Sequence, residues 1–159
     1  SPWLLMLVQF AAWTAFGFKV GSPSILFANF FTVFTTALVV VAIRGNTFKN
    51  WFLIVIGSAI TGAFVFFGPG AIVDWALILL TGSRLPQLIR TWYNRRTAKV
   101  TAVSIPSLVV ALTSMFFWMA FAVLTENALV VTTTIVAISI TLLTALVELN
   151  IARRAALVS

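Results

Sequence analysis

The chain has 159 residues, of which 62% are hydrophobic and only 8% charged, and its net charge is +7. A soluble domain carries about a quarter charged residues, so this composition cannot wet a surface and the solvent for most of the chain is lipid. The absence of Cys and His excludes disulfides, thiolate nucleophiles, the usual zinc sites and Ser-His catalysis; no enzyme and no cofactor are expected.

Crossing the hydrocarbon takes about 20 mainly apolar residues, and six such helical runs are predicted. The first, residues 3–18, holds Gln9 and Trp13, four apart and therefore on one helix face. The second, residues 25–43, holds Asn29. An unpaired amide in hydrocarbon costs several kcal/mol, so Asn29 is expected to bond a solute hydroxyl or another helix. The third, residues 51–67, carries Gly57, Ser58, Thr61 and Gly62, two small-xxx-small pairs that predict close helix packing.

The fourth run, residues 71–93, has Asp74 near its start, where a carboxylate in the first turn suits the helix dipole. Within it, Pro86 removes a backbone donor and crowds the carbonyl of Gly82, which predicts a kink. Gln87 is placed to satisfy the freed backbone groups, and Arg84 is expected to snorkel toward the headgroups. The fifth, residues 106–124, repeats the four-residue spacing in Ser114 and Trp118. The sixth, residues 128–149, opens on Thr132, Thr133 and Thr134, whose hydroxyls can bond their own helix. Unbroken Phe, Leu and Val exclude a β-barrel, whose strands alternate in ~10-residue segments. Links such as Gly68-Pro69-Gly70 and Glu126-Asn127 are too short for domains and imply tight hairpins.

Charge sets an expected orientation. Arg44, Lys49, Arg95, Arg96, Lys99, Arg153 and Arg154 fall on one side, with Arg90 close by. Lys19 falls on the other, with Glu126 and Asp74 near it. The positive-inside bias makes the first side cytoplasmic, so residue 1 and the C-terminus are expected inside, in a multi-pass protein of the cell membrane. Charges set between apolar runs do not form the basic face that nucleic acid requires.

An internal repeat emerges at a shift of 105. Trp13, Ala15 and Phe16 coincide with Trp118, Ala120 and Phe121; Asn29 falls opposite Thr134 and, with a one-residue gap, Pro2 opposite Pro106. Each copy reads as a helix rising outward, a short turn and a helix returning inward. The second copy is preceded by the run that contains Pro86, and the first has no such run before it. The expected plan is 3+1+3, with the first helix of the first triplet lying before residue 1. Its parts are a partial repeat at 1–43, a linker helix at 44–70, a full repeat at 71–150 and a cytoplasmic tail at 151–159. Parallel repeats about an axis along the membrane normal are a transporter architecture.

Leu85-Pro86-Gln87-Leu88 near the inner end of a helix, then Asn94-Arg95-Arg96, then a Ser104-Ile105-Pro106 helix start, resembles the PQ-loop motif. The superfamily includes the SWEET and SemiSWEET sugar transporters and the lysosomal amino-acid exporters. The likeness covers 71–149 well and 1–43 less well. Trp13 and Trp118 with Asn29 look most like the SWEET pocket, where paired Trp and Asn enclose the sugar; Thr134 departs from the second Asn. The resemblance implies a carrier for a mono- or disaccharide, with Pro86 and Gln87 as hinge. Gln9 and Ser114, on the helix faces of the two Trp, are expected as further pocket groups, and since no carboxylate falls in that pocket the movement is expected to be facilitated. A PQ-loop amino-acid exporter and a non-transporting receptor or scaffold are the alternatives. The implied partners are a small solute and the bilayer, with no nucleic acid, and a homo-oligomer is left open.

Overall fold

The computed structural model describes residues 2–95 and 104–158, with side chains over 3–95 and 104–154. Most of the described residues are helical, and none of them lies in a strand. Seven helices follow in order: α1 (Pro2–Lys19), α2 (Pro23–Arg44), α3 (Phe48–Phe67), α4 (Gly70–Thr81), α5 (Leu85–Asn94), α6 (Ile105–Leu124) and α7 (Ala128–Val158), with a 3₁₀ turn at Gly82–Arg84 between α4 and α5.

Among the described residues, five spans are long and apolar enough to cross a membrane: Pro23–Arg44, Phe48–Phe67, Gly70–Asn94, Ile105–Leu124 and Ala128–Arg154. The architecture is that of a multi-pass helical membrane protein. The first of the six expected runs is realised as a shorter apolar helix. Its 18 residues rise about 27 Å, just under the ~30 Å of hydrocarbon. At the other end, α7 runs on to Val158, so the expected tail at 151–159 is helical through that residue. Ile151-Ala152-Arg153-Arg154-Ala155-Ala156-Leu157 is rich in strong helix formers and contains neither Gly nor Pro to stop the helix. Arg96 and Lys99 of the basic loop lie outside the described residues.

The chain forms two compact units, Ser1–Ser83 and Arg84–Ser159, which divide at the 3₁₀ turn. In the first, α1 packs on α2, α3 and α4. Its core joins Leu7 of α1 to Ala37, Val40 and Val41 of α2 and Ile54 of α3. Small side chains let the backbones approach, as is usual for membrane helices: Ala11 and Ala12 are buried, and a Cβ on Gly62 of α3 would lie 3.8 Å from Ala15 Cβ. Gly57 has nothing within that reach, so of the two small-residue pairs only Ser58/Gly62 includes a glycine that meets a neighbouring helix. Lys19, the one cation expected on its side, donates from Nζ to the Val65 carbonyl at 2.9 Å and ties the end of α1 to that of α3. Outward, Phe27, Phe30, Phe31 and Phe34 of α2 are exposed at helical spacing, a face that suits lipid and not water. In the second unit, α7 packs on both α5 and α6.

The two hairpins, α1–α2 and α6–α7, turn by the same hydrogen bonds. In the first, Val20 N–H donates to Phe16 O, Gly21 to Phe18, Ser22 to Gly17 and Leu26 to Ser22, at 2.9, 3.2, 2.9 and 3.0 Å. In the second, Thr125 donates to Phe121, Glu126 to Val123, Asn127 to Ala122 and Val131 to Asn127, at 3.0, 3.2, 3.0 and 3.0 Å. All four bonds coincide at the shift of 105 read from the sequence. They build a Schellman ending, with the residue past the helix left-handed: φ is 65° at Gly21 and 52° at Glu126. The next residue, Ser22 or Asn127, starts the returning helix. Asn127 Oδ1 accepts from Val130 N–H at 3.1 Å, whereas Ser22 makes no side-chain cap and Pro23 follows it.

Only glycine takes a left-handed φ without penalty, and other L-residues pay roughly 1–2 kcal/mol. Gly21→Ala is therefore expected to lower stability by about 1 kcal/mol, and Glu126→Gly to raise it by up to about 1 kcal/mol. Thermal unfolding in detergent checks both. Equal signs in the two hairpins would contradict the shared turn.

Candidate functional site

Each hairpin carries one Trp on its rising helix, and the two are held alike. Trp13 is buried in the first unit and meets Phe16 edge to face, with ring centroids 5.4 Å apart at 82°. Trp118 is half-buried in the second and meets Phe121 at 5.5 Å and 88°. A Trp followed three residues later by Phe on a helix brings the two rings onto one face, and the edge-on arrangement suits their quadrupoles. The two Trp rings are thus set by the same local geometry in both copies. In the returning helices, Ile25 and Val130 are both buried, as are Thr36 and Thr141; each pair is again separated by 105.

The polar groups expected beside these rings behave differently from one another. Gln9 is buried, and its Oε1 accepts from Ser83 Oγ at 2.6 Å. It joins α1 to the 3₁₀ turn, which is the work of helix glue. Ser114, its counterpart, is exposed. Asn29 is half-buried, and its amide finds a partner nearer than expected: Nδ2 donates to Ile25 O of its own helix at 2.8 Å. A short amide side chain reaches the carbonyl four residues back, so neither a solute nor another helix is needed to satisfy that donor. Thr132 and Thr133 bond back to Ala128 and Leu129 in the same way, and Thr134 beside them is buried. Gln9, Trp13 and Asn29 belong to the first unit, and Ser114, Trp118 and Thr134 to the second.

Pro86 interrupts the fourth run by a different route from a kink within one helix. The α-helix stops at Thr81, Gly82–Arg84 form the 3₁₀ turn, and Pro86 becomes the second residue of α5. In the first turn of a helix its missing N–H is one of the orphan donors in any case, so no carbonyl is left in need of Gln87, which is exposed. Asp74 is the fifth residue of α4 and lies past its first turn, so the first-turn placement expected for it is not met. Arg84 is half-buried, and its guanidinium donates to Thr141 Oγ1 of α7 at 3.4 Å.

Sequence reasoning missed the continuation of that contact. Seven residues along each helix, Thr91 Oγ1 donates to Glu148 Oε1 at 3.1 Å. Seven residues are close to two turns, so α5 and α7 run parallel and repeat one polar rung above another. Glu148 is wholly enclosed, and Thr91, Thr141 and Thr144 on the same seam are buried. The available signal was an acid inside an apolar run, which marks an ionisable group held within a bundle. Compared with family models, with curated proteins and with solved structures, the chain matches none.

Proposed function

We propose that the chain is a membrane carrier that moves a small neutral polar solute, a mono- or disaccharide, by facilitated alternating access. The observation that carries this reading is the repetition of Trp13 and Trp118, each edge-on to its Phe, on hairpins whose turn bonds coincide. Parallel repeats are a transporter architecture, and ring faces of Trp suit the apolar face of a sugar. In this reading the plan is 3+1+3 with α3 as the linker, and the PQ-loop likeness of Leu85-Pro86-Gln87-Leu88 supports Pro86 and Gln87 as the hinge. Glu148, wholly enclosed and bonded to Thr91, is a packing group here and offers no carboxylate to a solute, which favours facilitated movement over proton coupling. The positive-inside bias puts the ends of α2 and α7 on the cytoplasmic side.

Counterflow of radiolabelled glucose and sucrose into proteoliposomes of the full chain tests the solute class. Saturable sugar exchange is expected, with none for amino acids. Amino-acid exchange without sugar exchange would replace the sugar, and silence with both would remove the carrier.

A further inference from the structure

Between α5 and α7 a cleft of about 1140 Å³ opens along the second unit, somewhat larger than the roughly 300–1,000 Å³ usual for ligand clefts. Its walls are graded. Leu88, Leu143, Leu146 and Val147 line one end, and Tyr93, Arg95, Asn150 and Arg154 line the other. From Leu143 to Arg154 the α7 wall rises about 16 Å, passing from hydrocarbon character through an aromatic zone at Trp92 and Tyr93 to two guanidiniums. Trp and Tyr are the residues that mark a membrane interface, so the arginine end lies at headgroup level.

The arginine on α5 is held in place. Arg95 sits 3.9 Å over the Trp92 ring and donates from one guanidinium nitrogen to the Trp92 carbonyl at 2.7 Å. A guanidinium has five N–H donors in a fixed fork, so this anchoring leaves donors for a second acceptor. Among the described residues the lining holds no carboxylate. Glu148, the acid nearest in sequence on α7, is not in that lining; it is wholly enclosed and bonded to Thr91. Net positive charge at one end and a bare apolar wall at the other match one chemistry: a phosphate ester attached to an acyl chain.

We propose that this cleft is a binding site for one anionic phospholipid, with its phosphate on Arg95 and Arg154 and an acyl chain along Leu88, Leu143 and Val147. Basic pockets between membrane helices hold acidic headgroups in this manner. The proposal does not depend on the chain's being a carrier.

Native mass spectrometry of the detergent-purified full chain, offered phosphatidylglycerol or phosphatidylcholine, reads the site directly. Phosphatidylglycerol is expected to be retained in preference. Arg95→Gln with Arg154→Gln should lower its retention roughly thirty-fold, from two near-surface charges. Leu146→Trp, at an exposed position, should fill the apolar end and release the lipid with both arginines intact, which keeps the test open if the double variant unfolds. Arg44→Gln with Lys49→Gln, basic residues outside the cleft, should change nothing. Equal retention of the two lipids, equal loss in the Arg44/Lys49 variant, or displacement by water-soluble glycerol phosphate would overturn the proposal.

Discussion

Replacing Gly17 by Val is expected to lower stability by about 3 kcal/mol, among the largest losses that one added side chain can cause. A Cβ at Gly17 would lie 2.5 Å from Leu26 N and 2.9 Å from Leu26 Cα and Ile25 C. These are backbone atoms at the start of α2, and no rotamer change moves them aside. The helices must part, and the Ser22 N–H bond to Gly17 O would be strained with them. The counterpart in the second hairpin is Ala122, which is fully buried and already accommodates its methyl group. Ala122→Gly is expected to cost about 1 kcal/mol, near the helix-propensity difference. The same turn is thus built at two helix separations, closer in α1–α2. Thermal unfolding in detergent measures both variants, and a Gly17→Val protein as stable as wild type would contradict the close approach.

Thr91→Val is expected to destabilise by about 1–3 kcal/mol, the range for taking a hydrogen bond from a buried polar group. The loss is large for one hydroxyl because Glu148 is wholly enclosed and water cannot replace the donor. Glu148→Leu should also destabilise, but in that background Thr91→Val should cost much less, since the bond it breaks is already gone. The cycle of the two single variants and the double variant should therefore return a coupling of 1 kcal/mol or more. Additive losses would show that the 3.1 Å contact contributes nothing to stability.

How much of this was legible beforehand follows from the physics of each element. Lipid demands continuous apolar runs, so the membrane helices could be read from composition alone, and the short turns followed from the residues between them. The hairpin repeat was visible through three identities around Trp13 and Trp118, although the turn itself shares no residue: Gly21-Ser22 faces Glu126-Asn127. A backbone motif needs one left-handed residue and not a particular side chain, which is why the structure carries the repeat further than the sequence does. Pro86 announced an interruption, but its cost fell to nothing once a 3₁₀ turn placed it in a helix start. The side-chain partners were the least legible. Asn29 and Gln9 could each bond near or far, and only packing decides between Ile25 and a neighbouring helix, or selects Ser83. Arg84–Thr141 and Thr91–Glu148 depend on the register of α5 against α7, a tertiary quantity that no local pattern contains.

The central proposal is that the repeated Trp13 and Trp118 both serve sugar transport. Sugar counterflow in proteoliposomes, run on wild type, Trp13→Phe, Trp118→Ala and the control Trp3→Phe, tests it most directly when each variant's unfolding temperature is recorded beside its flux. The account predicts that flux is lost in Trp118→Ala and falls at least tenfold in Trp13→Phe, while Trp3→Phe exchanges sugar as wild type does and all remain folded. Wild-type flux in a folded Trp118→Ala protein would contradict it.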